Sequence, residues 1–103
     1  MPVDFIDITI VALDPERSFQ RSGEFWNKVL TLSTEVPKEW SRIFDEVWAG
    51  AHYHPKRHAR IEEHAIVTIC LPEELDGEHI DFLFAAVGRT NEAYRAFVTL
   101  PFA

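Results

Sequence analysis

Apolar and polar residues alternate along residues 4–13, near the start of the chain. Ile6, Ile8 and Ile10 fall on one side of this stretch, and polar side chains stand between them. Successive side chains of a β-strand point to opposite faces, so the alternation predicts a half-buried strand. Pro15 ends it, because proline cannot donate a hydrogen bond to a sheet ladder.

Three further segments are predicted to be strands. Residues 15–24 are polar and predict a loop, after which residues 25–33 predict the second strand. Residues 59–62 and 65–71 predict a hairpin, and its second arm is rich in the β-branched side chains that strands favour.

Two other segments repeat apolar residues at helical spacing. The first helix is predicted to follow Pro37 and to end at Gly50, and the second to follow Asp76 as its cap. Gly88 and Asn91 interrupt the second stripe, which predicts either a bend or a hydrogen bond from Asn91 across the core. The two stripes consist of Trp40, Ile43, Phe44, Val47 and Trp48, and of Ile80, Leu83, Phe84 and Val87.

The predicted order of elements is ββαββα, in a chain of 103 residues that we expect to form a single domain, residues 1–103. It predicts an α+β two-layer sandwich, in which two helices cover one face of a mostly antiparallel, four-stranded sheet. Residues 1–50 and 58–99 are predicted to form a weak ββα repeat, linked by a histidine-rich loop over residues 51–58.

One face of this sheet is expected to stay uncovered. The helices are expected to cover the face that carries Ile6, Ile8, Leu30 and Leu32. The other face then carries Phe5, Val11, Phe25 and Val29. Large exposed apolar patches mark interaction surfaces, so a homodimer formed through this sheet face is expected.

The composition of the chain disfavours several classes of binding partner. The net charge is −7, which disfavours binding to duplex nucleic acid, because such binding depends on neutralising phosphates. No stretch has the apolar length of a membrane span, and a single cysteine favours a reducing, cytoplasmic setting without a disulfide. No cofactor-binding motif is present, so no cofactor is expected.

Four of the five histidines lie between residues 52 and 64, beside three of the ten basic residues. His52, His54 and His58 offer imidazoles for a metal ion, although their spacing matches no strong zinc pattern. The same segment is a candidate anion site, because clustered arginine and lysine suit phosphate or carboxylate. The residues of that anion site are His52, His54, Lys56, Arg57, His58 and Arg60.

Other reactive side chains have structural interpretations. Cys70 lies within an apolar strand, where a thiol is buried rather than nucleophilic. The acidic residues at the start of the last helix fit the helix dipole better than a calcium loop. These acids are Glu73, Glu74, Asp76, Glu78 and Asp81.

The sequence therefore predicts a small, soluble, non-enzymatic binding module, homodimeric and in contact with a protein partner. The first alternative is a metal-binding or anion-binding domain, or a small enzyme, that uses His52, His54 and His58. The second is a small-ligand pocket between helix and sheet, lined by Trp40, Phe44 and Trp48.

Overall fold

The computed structural model describes residues 5–51 and 57–99, which form an α+β fold. Five strands and two helices follow one another, with a short 3-10 helix before the second α-helix. Their bounds are β1 Ile10–Leu13, β2 Phe19–Ser22, β3 Phe25–Leu32, α1 Lys38–Gly50, β4 His58–Glu62, β5 Ala65–Cys70, the 3-10 helix Pro72–Asp76 and α2 Glu78–Thr99.

All strand pairs of the sheet are antiparallel, in the order β1-β3-β5-β4. β1 and β2 share one edge of β3, since β1 pairs with its C-terminal half and β2 with its N-terminal end. The predicted fold class is confirmed, but the sheet has five strands instead of four, because the strand beside β3 is interrupted.

The interruption is a turn over residues 14–18. The carboxylate of Asp14 accepts hydrogen bonds from the backbone N–H groups of Glu16 and Arg17, at 3.1 and 3.3 Å. The Ser18 hydroxyl then accepts a bond from the Val29 N–H, which keeps β3 paired across the gap. The prediction of a loop over residues 15–24 was therefore wrong for β2, since hydrogen bonding to β3 outweighs its polar composition.

The two helices pack on one face of the sheet, as predicted. Trp40, Phe44 and Trp48 of α1 meet Leu83 and Val87 of α2 in one buried cluster. The strands contribute Leu30, Leu32, Ala59 and Ile66 to it. Both predicted stripes are thus core, apart from Phe84, which is largely exposed.

Helix α2 runs without interruption through Gly88, and Asn91 forms hydrogen bonds across the core. The Asn91 Oδ1 accepts from the Ile8 N–H and from the Trp40 indole N–H, both at 3.0 Å, and its Nδ2 donates to the Ile8 carbonyl at 2.8 Å. The second of the two predictions for this position is confirmed.

The same contact explains why the predicted strand over residues 4–13 is shorter than expected. The backbone of Ile8 bonds to a side chain of α2 rather than to a neighbouring strand, and regular pairing begins only at Ile10. Helix α2 also begins later than predicted, because Asp76 ends the 3-10 helix and Gly77 separates it from α2.

The face away from the helices differs from the prediction. Phe5 packs on Tyr94 of α2, so its assignment to the open face was wrong. Val29 lies on that face as predicted, but it is buried in a second cluster with Ala65 and Val67. Val11 and Phe25, the other two residues predicted for this face, are exposed, and so is Phe19 of β2.

The longest described helix, α2, has 22 residues, and neither it nor α1 combines the length and the apolar character needed to cross a membrane.

Candidate functional site

The histidine-rich segment is only partly within the described residues. His52, His54 and Lys56 lie outside them, so the metal and anion predictions remain predictions for these positions. Arg57 directly precedes β4, and His58 and Arg60 belong to it.

Both described arginines of this segment are paired with carboxylates of the same chain. The Arg57 Nε donates to both carboxylate oxygens of Glu74, at 2.9 and 3.1 Å, and Arg60 pairs with Glu62 on its own strand. An anion bound here would have to compete with these carboxylates, which lowers the gain expected from each guanidinium.

Across residues 5–51 and 57–99, no three His, Cys, Asp or Glu side chains are grouped as metal ligands. The predicted metal set contains two histidines outside that range, His52 and His54, so the set as a whole is not placed.

A buried polar network lies where β4, β5 and the start of α2 meet, and we call it the His79 network. The hydroxyl of Thr68 lies 2.8 Å from the His79 Nε2 and donates to the His58 carbonyl at 2.6 Å. The indole N–H of Trp48 donates to the Arg57 carbonyl at 3.0 Å, and its ring meets the His79 imidazole edge to face. The network fixes the backbone of Arg57 and His58, at the start of β4.

The Thr68 hydroxyl has one proton, which it gives to the His58 carbonyl. The Nε2 of His79 must therefore carry a proton and donate to Thr68. Burial lowers the pKa of His79, and Arg57 lowers it too, while the carboxylate of Glu74 acts in the opposite direction. A neutral imidazole in a structural role is the consistent description.

His79 was missed at the sequence level because it stands apart from the other histidines. A usable signal was present, since His79, Leu83, Ala86 and Thr90 recur at helical spacing and all are buried. A polar residue on the apolar stripe of a helix indicates a buried hydrogen bond.

Cys70 is fully buried, as predicted from its apolar strand. Desolvation, together with the nearby Glu74 carboxylate, raises the pKa of its thiol to about 11. A thiol in this setting stays protonated at neutral pH and is a poor nucleophile.

The predicted ligand pocket between α1 and the sheet is filled by its own aromatic rings. Trp40, Phe44 and Trp48 are buried and stack in sequence, with ring centroids 5.9 and 6.2 Å apart. Both indole N–H groups are used within the protein, by Asn91 and by the Arg57 carbonyl. These rings are core, and the pocket prediction was wrong.

An apolar groove lies at one edge of the sheet, between the edge strand β1 and the start of α2. Its volume is about 270 Å³, and it is open to solvent. We call it the β1 groove. Its lining residues are Ile10, Val11, Ala12, Leu13, Leu30, Leu75, Asp76, Ile80 and Phe84.

The β1 groove combines exposed apolar side chains with an edge of the sheet. Val11 is 57% exposed, Leu13 43% and Phe84 51%. In the described chain the only strand paired with β1 is β3. An edge strand turns part of its backbone N–H and C=O groups outward, so this edge can accept another extended chain.

Among known proteins, no family model, no curated protein and no solved structure matches this chain, so its function must be argued from this geometry.

Proposed function

We propose that this chain is a non-enzymatic protein-interaction module that binds an extended polypeptide segment along β1 and the β1 groove. The observation that carries the proposal is an exposed edge strand, Ile10–Leu13, composed only of apolar residues.

The two edges of the sheet support this choice by their difference. β4, at the far edge, carries His58, Arg60 and Glu62, and charged side chains of this kind protect an edge from pairing with other chains. β1 has no charged residue. An unprotected apolar edge is the place where strand addition is expected.

The size of the groove also favours a polypeptide over a free small molecule. Its volume of about 270 Å³ is below the range of about 300–1,000 Å³ that is typical of small-molecule sites. In strand addition, backbone hydrogen bonds supply much of the affinity, and one side chain in a small pocket supplies specificity.

The experiment is a selection of binders from a random decapeptide display library, followed by affinity measurements on variants. Val11→Lys places a charge on the edge, and we expect it to weaken the selected peptides at least about ten-fold, since edge lysines oppose pairing. Phe97→Lys is the matched control, because Phe97 is also an exposed apolar residue but lies near the end of α2. Equal binding to wild type and Val11→Lys would refute the proposal, as would a library without enriched peptides.

A homodimer through the sheet face is the second candidate. Phe19 and Phe25 favour it, since both are exposed and lie on the face away from the helices. Sedimentation at increasing concentration tests it. We expect a dimer that Phe19→Lys dissociates, and a monomer at every concentration would exclude it.

A further inference from the structure

We infer that the segment bound along β1 is an apolar strand flanked by lysine or arginine. This inference rests on the proposed function and adds the chemistry of the partner to it.

The surface around the β1 groove is acidic. Leu75, Asp76 and Ile80 line its far side, and the segment they belong to, residues 72–81, contains five acidic residues and no lysine or arginine. One of the five, Glu74, is paired with Arg57. Asp76 lines the groove itself and is exposed. Glu78 and Asp81 are exposed in the first turn of α2.

The other end of β1 is also acidic. Asp14 follows the strand directly, and its Oδ1 already accepts backbone hydrogen bonds, which hold the carboxylate beside the edge. In the turn beyond it, Glu16 and Arg17 cancel in charge. Asp7, before the strand, is paired with Arg95.

Among the described residues, the positive charges of Arg17 and Arg95 are therefore each balanced by a nearby carboxylate. Asp14 and Asp76 form no ion pair there. Carboxylates around the rim of an apolar site accelerate association with a basic partner and select for it. The whole-chain charge of −7 acts in the same direction.

The same charges disfavour a second copy of this chain as the occupant. A symmetric pair of β1 strands would bring Asp14 and Asp76 of one copy close to the identical acidic rim of the other. Like charges placed together in an interface oppose association.

The probe is a fluorescent decapeptide in which threonine alternates with valine and phenylalanine, with two lysines at each end. The comparison peptide has glutamate in place of every lysine. Anisotropy titrations at low and high salt measure both, because rim charges are screened by salt. We expect the lysine peptide to bind at least about ten-fold more tightly at low salt, with most of the difference lost at high salt.

Two variants test the named carboxylates. Asp14→Asn retains the Oδ1 acceptor of the turn, and Asp76→Asn removes the charge from the groove wall. We expect each to weaken the lysine peptide about two-fold to five-fold and to leave the glutamate peptide no weaker. Asp45→Asn, an exposed acid on α1, is the control, and thermal unfolding of each variant verifies folding.

The outcomes separate the two proposals. Equal binding of both peptides, each abolished by Val11→Lys, would overturn the basic-partner inference and keep the proposed function. Self-association abolished by Val11→Lys, without peptide binding, would overturn the inference in favour of a second copy. Peptide binding that Val11→Lys does not change would overturn both.

Discussion

Replacement of Asn91 by leucine is expected to destabilise the fold strongly, although the two side chains are similar in size. Asn91 is buried and joins three parts of the structure: α2, the backbone of Ile8 and the indole of Trp40. Leucine would remove three hydrogen bonds and leave two donors and one carbonyl buried without partners.

The magnitude follows from those three bonds. Each intramolecular hydrogen bond contributes about 0.5–1.5 kcal/mol net, and each group left buried and unpaired costs about 1–3 kcal/mol. Partial relaxation of the Ile8 segment toward water offsets some of this, so we expect a loss of about 3–4 kcal/mol. Domains of this size have unfolding free energies of about 5–15 kcal/mol, and the loss would lower Tm by roughly 12–30 °C.

The assay is urea unfolding followed by tryptophan fluorescence, with the m-value checked for constancy. Glu92→Leu is the control, since Glu92 is the next residue of the same helix and is exposed. Trp40→Phe removes one of the three bonds, so its cost should be smaller in the Asn91→Leu background by about 1 kcal/mol. If Asn91→Leu and Glu92→Leu lost the same free energy, the assignment of Asn91 as a core cross-link would be refuted.

Three further predictions concern other parts of the fold. Burial lowers the pKa of His79, so as pH decreases the imidazole is protonated in the unfolded chain before it is protonated in the folded chain; stability should therefore fall below about pH 6.5 and level off below the folded pKa. His79→Gln should flatten that part of a pH series of urea midpoints, and an unchanged slope would contradict the buried neutral imidazole. Gly88→Ala should raise stability by about 1 kcal/mol, because an added Cβ meets nothing within 4 Å in the middle of α2; a lower Tm would show that the site is more crowded than described. Desolvation raises the pKa of Glu74, but hydrogen bonds from Arg57 and from the Leu71 N–H outweigh it and hold the pKa below its usual range, so stability from this pair should be lost as pH falls through that lowered pKa. Glu74→Gln should cost about 1–2 kcal/mol near neutral pH and nothing under acidic conditions, and an equal cost at both would refute the charged pair.

Local sequence patterns were sufficient to predict the helices and strands that bury one face. The stripe from Trp40 to Trp48 specified α1, and the β-branched run before Pro72 specified β5, because periodicity and propensity act within a few residues of one another. The hydrogen bond of Asn91 was one of the two alternatives that the sequence left open, since a polar residue on an apolar stripe needs a partner in the core.

The candidate site was harder to predict from the sequence than the fold. The histidine-rich segment was predicted as a site because of its residue types. In the described part of it, Arg57 and Arg60 form ion pairs with carboxylates of the same chain. The β1 groove is formed by residues more than sixty positions apart, Val11 and Phe84 among them, whose proximity no local pattern encodes. These residues line one surface only because the fold places β1, at the sheet edge, beside the start of α2.

The sequence by itself determined the α+β class, the two helices and the faces they bury, because these follow from the spacing of apolar residues along the chain. The tertiary structure decided the rest. Residues 19–22 became β2 because β3 offered hydrogen bonds, and the segment before Ile10 left the sheet because Asn91 satisfied the backbone of Ile8. His79 is buried with a hydrogen-bond partner because Thr68 lies opposite it. Each of these depends on a partner distant in sequence, which is the information that a local pattern does not contain.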